Sequence, residues 1–234
     1  MTGAAMCLCS YLGAGPDDST WAYMKILTGR SSPGHPTTMS FSVRPAVTED
    51  IPAITSIYNH YINHSVATFR TKRVEPSVLL DTYCSAQNSQ HPFLVAVSHN
   101  GTEILGYAYV SGYRASHPAY WHTVELAIYV HPDHLSGGVG SRLWTALEDA
   151  LRQRNSALVG DKRDSHSRDE RTSPGATPIC HVLSVMALDT VGSQGGYGLR
   201  DWYVKRGFVQ KGHLEEVGYK FGRWIDTVIL QLTL

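Results

Sequence analysis

What the chain lacks narrows it first. No run of apolar residues approaches the roughly 20 needed to cross a bilayer, so no membrane segment is expected. Lysine plus arginine and aspartate plus glutamate both total 20, which leaves a formal net charge of zero. With no excess of either sign, bulk charge offers no attraction for nucleic acid or for a membrane surface, and neither is expected as a partner. Four cysteines (Cys7, Cys9, Cys84 and Cys180) include no CxxC pair and no Cys/His ligand spacing. That argues against a metal and against a disulfide framework, and for a reducing, cytoplasmic setting. The first residues, MTGAAMCLCSYLGAG, have no basic region and run into Asp17 and Asp18, so a signal peptide fits poorly.

What is present fits one globular domain: 234 residues, 42% of them hydrophobic. Residues 1–40 read as a disordered extension ending in the linker-like Arg30-Ser31-Ser32-Pro33-Gly34-His35-Pro36. The domain then occupies residues 41–234, interrupted by a charged, Pro- and Gly-punctuated stretch over residues 155–180 that is expected to be a disordered insertion.

Within the domain, Phe41 to Pro45 alternates like a strand, and Thr48 is placed to cap a helix carrying Ile51, Ile54, Ile57, Tyr58 and Tyr61 on one face. Residues 77–86 read as a second helix. Residues 92–97 and 104–110 read as a hairpin about His99-Asn100-Gly101. His122 to Val130 is rich enough in β-branched residues for a buried strand, broken by one charge, Glu125. His131-Pro132 ends it. Ser136-Gly137-Gly138-Val139-Gly140-Ser141 then passes into a helix with Leu143, Trp144, Leu147 and Leu151 at helical spacing. Later come a strand over residues 181–188, a short helix over residues 199–206, and closing strands over residues 208–214 and 227–234.

The glycine turn has a chemical meaning. Glycine permits φ > 0 and close approach of a ligand, and the first helical turn presents unpaired N–H groups at the positive end of a dipole. A pyrophosphate suits such a turn, although a tight connection that binds nothing has the same pattern. No Lys-Ser/Thr pair follows the last glycine, so the turn is not a P-loop, and the repeating units of a dinucleotide fold are missing.

Leu135-Ser136-Gly137-Gly138-Val139-Gly140 resembles the acetyl-CoA-binding motif of the GNAT N-acetyltransferase superfamily, with Leu135 in place of the usual polar first residue. In order along the chain, Arg44-Pro45-Ala46, Tyr58-Asn59-His60-Tyr61-Ile62, Phe69-Arg70-Thr71, Ala119-Tyr120, Thr123-Val124-Glu125, Ile128-Tyr129-Val130, the stretch from Trp202 to Phe208 and Gly222-Arg223-Trp224-Ile225-Asp226 resemble the phosphinothricin N-acetyltransferase-like branch. The resemblance implies an α/β fold of the α+β kind, a central, mostly antiparallel mixed sheet flanked by helices. It implies acetyl-CoA as cosubstrate, a small-molecule amine as acceptor and a homodimer.

Site residues follow from the same resemblance. Glu125 falls where the family has its general base, and Tyr203 where it has the acid that protonates the departing thiolate. The backbone of Ile128, Tyr129 and Val130 would face the thioester and pantetheine. Residues Ser136, Gly137, Gly138, Val139, Gly140 and Ser141 would take the pyrophosphate. His60, Phe69, Arg70 and Arg114 are the acceptor-side candidates. Plainer readings stand beside these: Glu125 satisfied internally or by His60, Tyr203 as a packing residue, His60 as a helix-terminal histidine and Arg114 as a surface residue. An acyl-CoA-binding module without turnover, and an acetyltransferase for peptides or proteins, remain alternatives. Asp189-Thr190 stand where the family often has a cofactor-contacting Asn, so that contact is not carried over.

Overall fold

Alternation along the strands decides which face each residue serves, and the second strand makes the rule visible. The computed structural model describes residues 40–160, 173–191 and 193–234. The proposed extension, apart from Ser40, and the centre of the proposed insertion lie outside the described residues. In β2 (Phe93–Ser98), Leu94 and Ala96 point to one hydrophobic core, while Phe93, Val95 and Val97 point to another. A strand covered on both faces reads as continuous apolar sequence rather than as an alternation.

Seven strands form one sheet in the order β1-β2-β3-β4-β5-β7-β6. They are β1 (Phe41–Pro45), β2, β3 (Ile104–Gly112), β4 (Thr123–Val130), β5 (His181–Leu188), β6 (Val209–Lys220) and β7 (Arg223–Thr233). The first four strands make an antiparallel meander, and β4–β5 is the parallel pair. Helices α1 (Ile51–His64) and α2 (Pro76–Asn88) cover one face, and α3 (Val139–Gly160) and α4 (Tyr197–Val204) the other. The apolar stripe of α3 supplies Leu143, Leu147 and Leu151, each 0% exposed, against the inner strands. This is the mixed, helix-flanked α/β architecture expected. No helix among the described residues is long and apolar enough to cross a membrane.

Several local expectations need correction. Thr48 does not cap α1: a 3-10 turn over Thr48–Asp50 precedes the helix, Thr48 Oγ1 donates to Glu49, and Asp50 accepts the Val47 N–H at 2.9 Å. Burial alone would raise the Asp50 carboxyl, but the Arg44 guanidinium at 2.7 Å and the Val47 N–H hold it below its usual range. The closing strands are longer than expected, because Phe221 (φ 50°) and Gly222 (φ 74°) make a two-residue turn that lets the β6–β7 ladder run to its end. Helix α4 starts earlier than expected, at Tyr197, behind Gly196 in a left-handed conformation (φ 83°).

The proposed insertion is shorter than its composition implied. Helix α3 continues to Gly160, and residues 173–180 are held in place by the helix itself. Arg154 donates to four carbonyls: Gln90 at 3.0 Å, Thr177 at 2.9 Å, Pro174 at 2.8 Å and Gly175 at 3.0 Å. Asn155 mimics a strand rung, its Nδ2 donating to Ile179 O at 2.6 Å and its Oδ1 accepting from Ile179 N at 2.9 Å. A Pro-Gly-rich stretch with no apolar pattern is thus ordered by two side chains that satisfy its backbone.

Arg154→Met should cost about 2–4 kcal/mol, since charge-assisted hydrogen bonds are lost and buried carbonyls are left unpaired. The midpoint of thermal unfolding should fall by roughly 5–15 °C for a chain of this size. Arg154→Lys should recover little of it, because an ammonium cannot reproduce the guanidinium fork.

Candidate active site

The parallel pair β4–β5 holds only through Thr123–His181, Val124–Val182 and Glu125–Leu183. Past Glu125, β4 stays with β3 as far as Val130, while β5 stays with β7 as far as Leu188. One edge of β4 is therefore left without a strand partner over residues 126–130, and the sheet opens there as a wedge. Its outer end is already engaged, because the Tyr61 hydroxyl donates to Val130 O at 2.7 Å.

The wedge leads into a cavity of about 400 Å³. Ile128, Tyr129 and Val130 form one wall, and Leu199, Trp202, Tyr203 and Arg206 of α4 form the facing wall. Its far end is the glycine turn, where Ser136, Gly138, Val139, Gly140 and Ser141 line the space together with Leu135. Eight of the nine residues expected to hold the cofactor therefore meet in one cavity; Gly137 is not among the lining residues. Ser136 (φ 67°) and Gly138 (φ 80°) both take left-handed backbone, which swings the chain abruptly into α3. The first turn-closing bond is Arg142 N to Gly138 O at 3.0 Å. The N–H groups of Val139, Gly140 and Ser141 therefore precede the helical ladder, without a hydrogen-bond partner among the described residues, at the positive end of a 22-residue helix, a setting suited to an anion.

Arg206 reinforces this positive end, and the sequence reading missed it. Its guanidinium lies 3.5 Å from the centroid of the Trp202 ring and donates to Ser141 Oγ at 2.7 Å and to Trp202 O at 2.8 Å. The signal was available: Arg206 follows Tyr203 by three residues, just past the end of α4, and both line the cavity.

Glu125 sits at the last paired rung of the wedge, opposite Ser111 of β3 and beside Leu183 of β5. By strand parity it shares the α1/α2 face with Ala127 and Tyr129. It is half-buried, and burial alone pushes its carboxyl above the usual range, with no cation pulling it back. Its surroundings are phenolic. Tyr107 and Tyr129 stack at 5.3 Å, Tyr58 and Tyr61 meet Tyr129 edge-on at 5.3 and 5.2 Å, and Phe93 stacks on Tyr109 at 4.8 Å. Burial above all pushes Tyr109 up to about 12; Glu125 adds to that and Arg70 opposes it. Arg70, Tyr109 and Glu125 thus share one electrostatic neighbourhood.

Tyr203 is buried on α4, packed edge-on against Phe208 at 5.1 Å and Trp202 at 4.9 Å. Burial raises its phenol, while a hydrogen bond with Ser184 of β5 and the charge of Arg206 draw it back in part. The neutral phenol is therefore the stable form at neutral pH.

The acceptor-side candidates divide. Phe69 and Arg70 lie on one loop, pinned from below by buried Lys220, whose Nζ donates to Ser65 O at 2.6 Å and Thr68 O at 2.7 Å. The Phe69 ring presses on Gly218 of β6, where a Cβ would come within 2.1 Å of it. His60 lies apart from them. Helix α1 runs one turn beyond it to His64, and the His60 ring packs on His64 at 4.9 Å and Tyr61 at 5.7 Å, outside the cavity lining. Burial, then the neighbouring His64 and His131, hold its pKa down. Arg114 also lies apart, in left-handed backbone (φ 44°) over the rings of Tyr113 and Tyr120 at 5.4 and 5.8 Å. Asp189, at the position of the missing Asn, is instead paired with Arg223.

The comparisons agree with this geometry. Residues 54–165 match the Acetyltransferase (GNAT) family. The chain is 32% identical over 197 residues to a phosphinothricin N-acetyltransferase of Alcaligenes faecalis, covering 82% of each protein. It is 30% identical over 193 residues to an L-methionine sulfoximine/L-methionine sulfone acetyltransferase of Salmonella typhimurium, covering 82% of this chain and 94% of that one. Among solved structures, the Salmonella typhimurium yncA protein with its cofactor acetyl-CoA superposes with a TM-score of 0.65 at 28% identity, covering 83% of this chain and 94% of that one. A phosphinothricin acetyltransferase from Sinorhizobium meliloti in complex with acetyl-CoA gives 0.64 at 25% identity, over 84% and 89% of the two chains. A wedge in the sheet, a glycine turn beneath it and these relatives together lead to one conclusion: the chain belongs to the acetyltransferase (GNAT) family.

Proposed function

We propose that the protein is an N-acetyltransferase that moves the acetyl group of acetyl-CoA onto the primary amine of a small, amino-acid-like acceptor. The observation that carries this reading is Glu125: a half-buried carboxylate with a raised pKa and, among the described residues, no ion pair, at the rung where β4 and β5 part. The cavity fits the cosubstrate chemically, with N–H groups and Arg206 at one end for the phosphates and the free β4 edge for an amide-bearing arm. Acetyl-CoA supplies the acetyl group in activated, thioester form. The chain itself must supply proton transfer and position.

An amine is mostly ammonium at neutral pH, so a base has to remove its proton. Glu125 does this, directly or through one water, and its raised pKa brings it nearer the operating pH. Tyr203 gives its proton to the departing sulfur, and the Arg206 charge beside it offsets part of the cost of the resulting phenolate. Arg70, in the same neighbourhood as Glu125, is suited to an acceptor carboxylate or an isosteric acid group. The relatives named for phosphinothricin and methionine sulfoximine support an acceptor of that kind. Cys84 and Cys180 are free and exposed thiols, which supports a reducing, cytoplasmic setting.

We also propose a homodimer. The edge strand β6, its turn and the start of β7 expose Leu214, Val217, Tyr219, Phe221 and Trp224 at 46–59%. A patch of this kind on the sheet edge is suited to burial against a second copy. It adjoins the loop of Phe69 and Arg70 through Gly218 and Lys220, so pairing would also close the acceptor side.

Release of free CoA across a panel of amino acids, their analogues and short peptides tests the activity and its acceptor together. Binding of acetyl-CoA with no turnover on any acceptor would replace this reading with that of a non-catalytic binding module. Glu125→Gln should lower kcat/KM by roughly 10²–10⁴ near neutral pH, and by less at high pH where the amine loses its proton unaided. The wild-type profile should rise with pH through the Glu125 pKa, above the ordinary carboxylate value, and the variant should lose that limb. A pH-independent loss would remove Glu125 from the base role. Tyr203→Phe keeps the packing against Phe208, so kcat should fall by about 10²-fold with little change in KM for acetyl-CoA. Turnover within twofold of wild type would reduce Tyr203 to a packing residue. Light scattering should give twice the chain mass, and Trp224→Glu should shift it to the monomer and lower turnover; a wild-type monomer would rule the dimer out.

A further inference from the structure

Beside the glycine turn, but separate from the proton-transfer groups, three ligating side chains converge. Glu103 lies just before β3, and His131 and His134 bracket the short turn between β4 and α3. Each offers one donor atom, and the three atoms lie within 4.8 Å of one another. We propose that Glu103, His131 and His134 form a binding site for a divalent transition-metal ion of the zinc class.

The positions are held chiefly through the backbone groups of the three residues. His131 N–H donates to Leu105 O at 2.8 Å, and His134 N–H to His131 O at 2.9 Å. Glu103 N–H donates to Ser98 Oγ at 3.0 Å, and Glu103 O accepts from Ser98 N–H at 2.9 Å. His134 is the innermost of the three: its side chain is 13% exposed, its Nε2 lies 2.9 Å from Glu103 Oε1, and its Nδ1 is buried without a partner. The His131 ring centroid lies 5.4 Å from that of His134. Asp133 adds a further carboxylate 3.8 Å from His131 Nδ1. Ligand bonds of about 2.0–2.2 Å in a tetrahedron require donors about 3.4 Å apart, so rotation of exposed Glu103 and part-exposed His131 by about 1 Å completes the set.

The donor set selects the class of ion. Two imidazoles and one carboxylate suit Zn²⁺, Co²⁺ or Ni²⁺, whereas Ca²⁺ and Mg²⁺ prefer oxygen ligands throughout. The ion takes over the place of the proton now shared between His134 and Glu103, and water fills the fourth position. It would tie the start of β3 to the turn that leads into α3, at the rim of the cavity that His134 also lines.

Calorimetric titration of the full-length, chelator-treated protein with Zn²⁺ tests the site, with Co²⁺ absorption reporting the geometry. One equivalent should bind, the Co²⁺ form should show the intense visible bands of a tetrahedral centre, and thermal unfolding should move upward with added Zn²⁺. Glu103→Gln, His131→Asn and His134→Gln should each weaken binding by roughly 100-fold or more, since loss of even an outer-shell partner costs about 10–100-fold. Glu103→Gln is the control for folding, because it changes an exposed side chain and keeps a hydrogen-bond acceptor for His134. Absence of a binding heat in the wild type overturns the proposal. So does binding that survives all three substitutions, which would put the ion on other histidines or on cysteines.

Discussion

Two parallel strands that part after three rungs are the constraint on which the rest of the molecule depends. A parallel pair normally continues until one strand ends, because each further rung satisfies backbone groups that otherwise need water. Here β5 is drawn away by eight rungs with β7, and β4 by seven with β3, so each strand is anchored on its other side while the backbone groups on the two facing edges go unpaired by a strand beyond Glu125. The gap is therefore affordable, and a polar backbone edge is left inside the fold. Glu125 stands at the apex of that gap, half-buried, on the face of β4 covered by α1 and α2 and outside the lining of the cavity.

The surrounding parts hold the gap in shape. Trp144, Tyr203 and Phe208 pack edge-on between α3, α4 and the sheet, which fixes the wall that faces β4. The tyrosines on the opposite face do more than fill space. Tyr107, Tyr109 and Tyr129 are all buried enough to be held neutral, and Tyr109 shares its electrostatic neighbourhood with Glu125. Lys220 works in the opposite sense: burial lowers its pKa, yet two carbonyls of the loop over residues 65–68 accept its protons, so a charge in the interior serves as a fastener.

Much of this was legible in the sequence, and the misses share a cause. Residues 92–97 announced a hairpin strand and residues 122–130 a buried one, and Glu125 stood out because it interrupted the second apolar run. The glycine turn was legible because left-handed backbone needs particular residues at particular places. What stayed hidden were side chains whose partners lie far along the chain. Arg154 satisfies a backbone 20–64 residues away, Lys220 one more than 150 residues away, and Glu103 meets His134 across 31 residues. None of these pairs has a spacing rule. The placement of His60 at a helix end differs for a local reason: α1 runs one more turn, to His64, and the His60 ring packs on that of His64.

The Arg154 and Asn155 contacts also bear on how this chain tolerates change. They bind residues 174–179 to α3, so the entry into β5 is set by side chains of that helix. A substitution that loosens the turn carrying Arg154 and Asn155 therefore acts at a distance, on the strand that forms one side of the wedge.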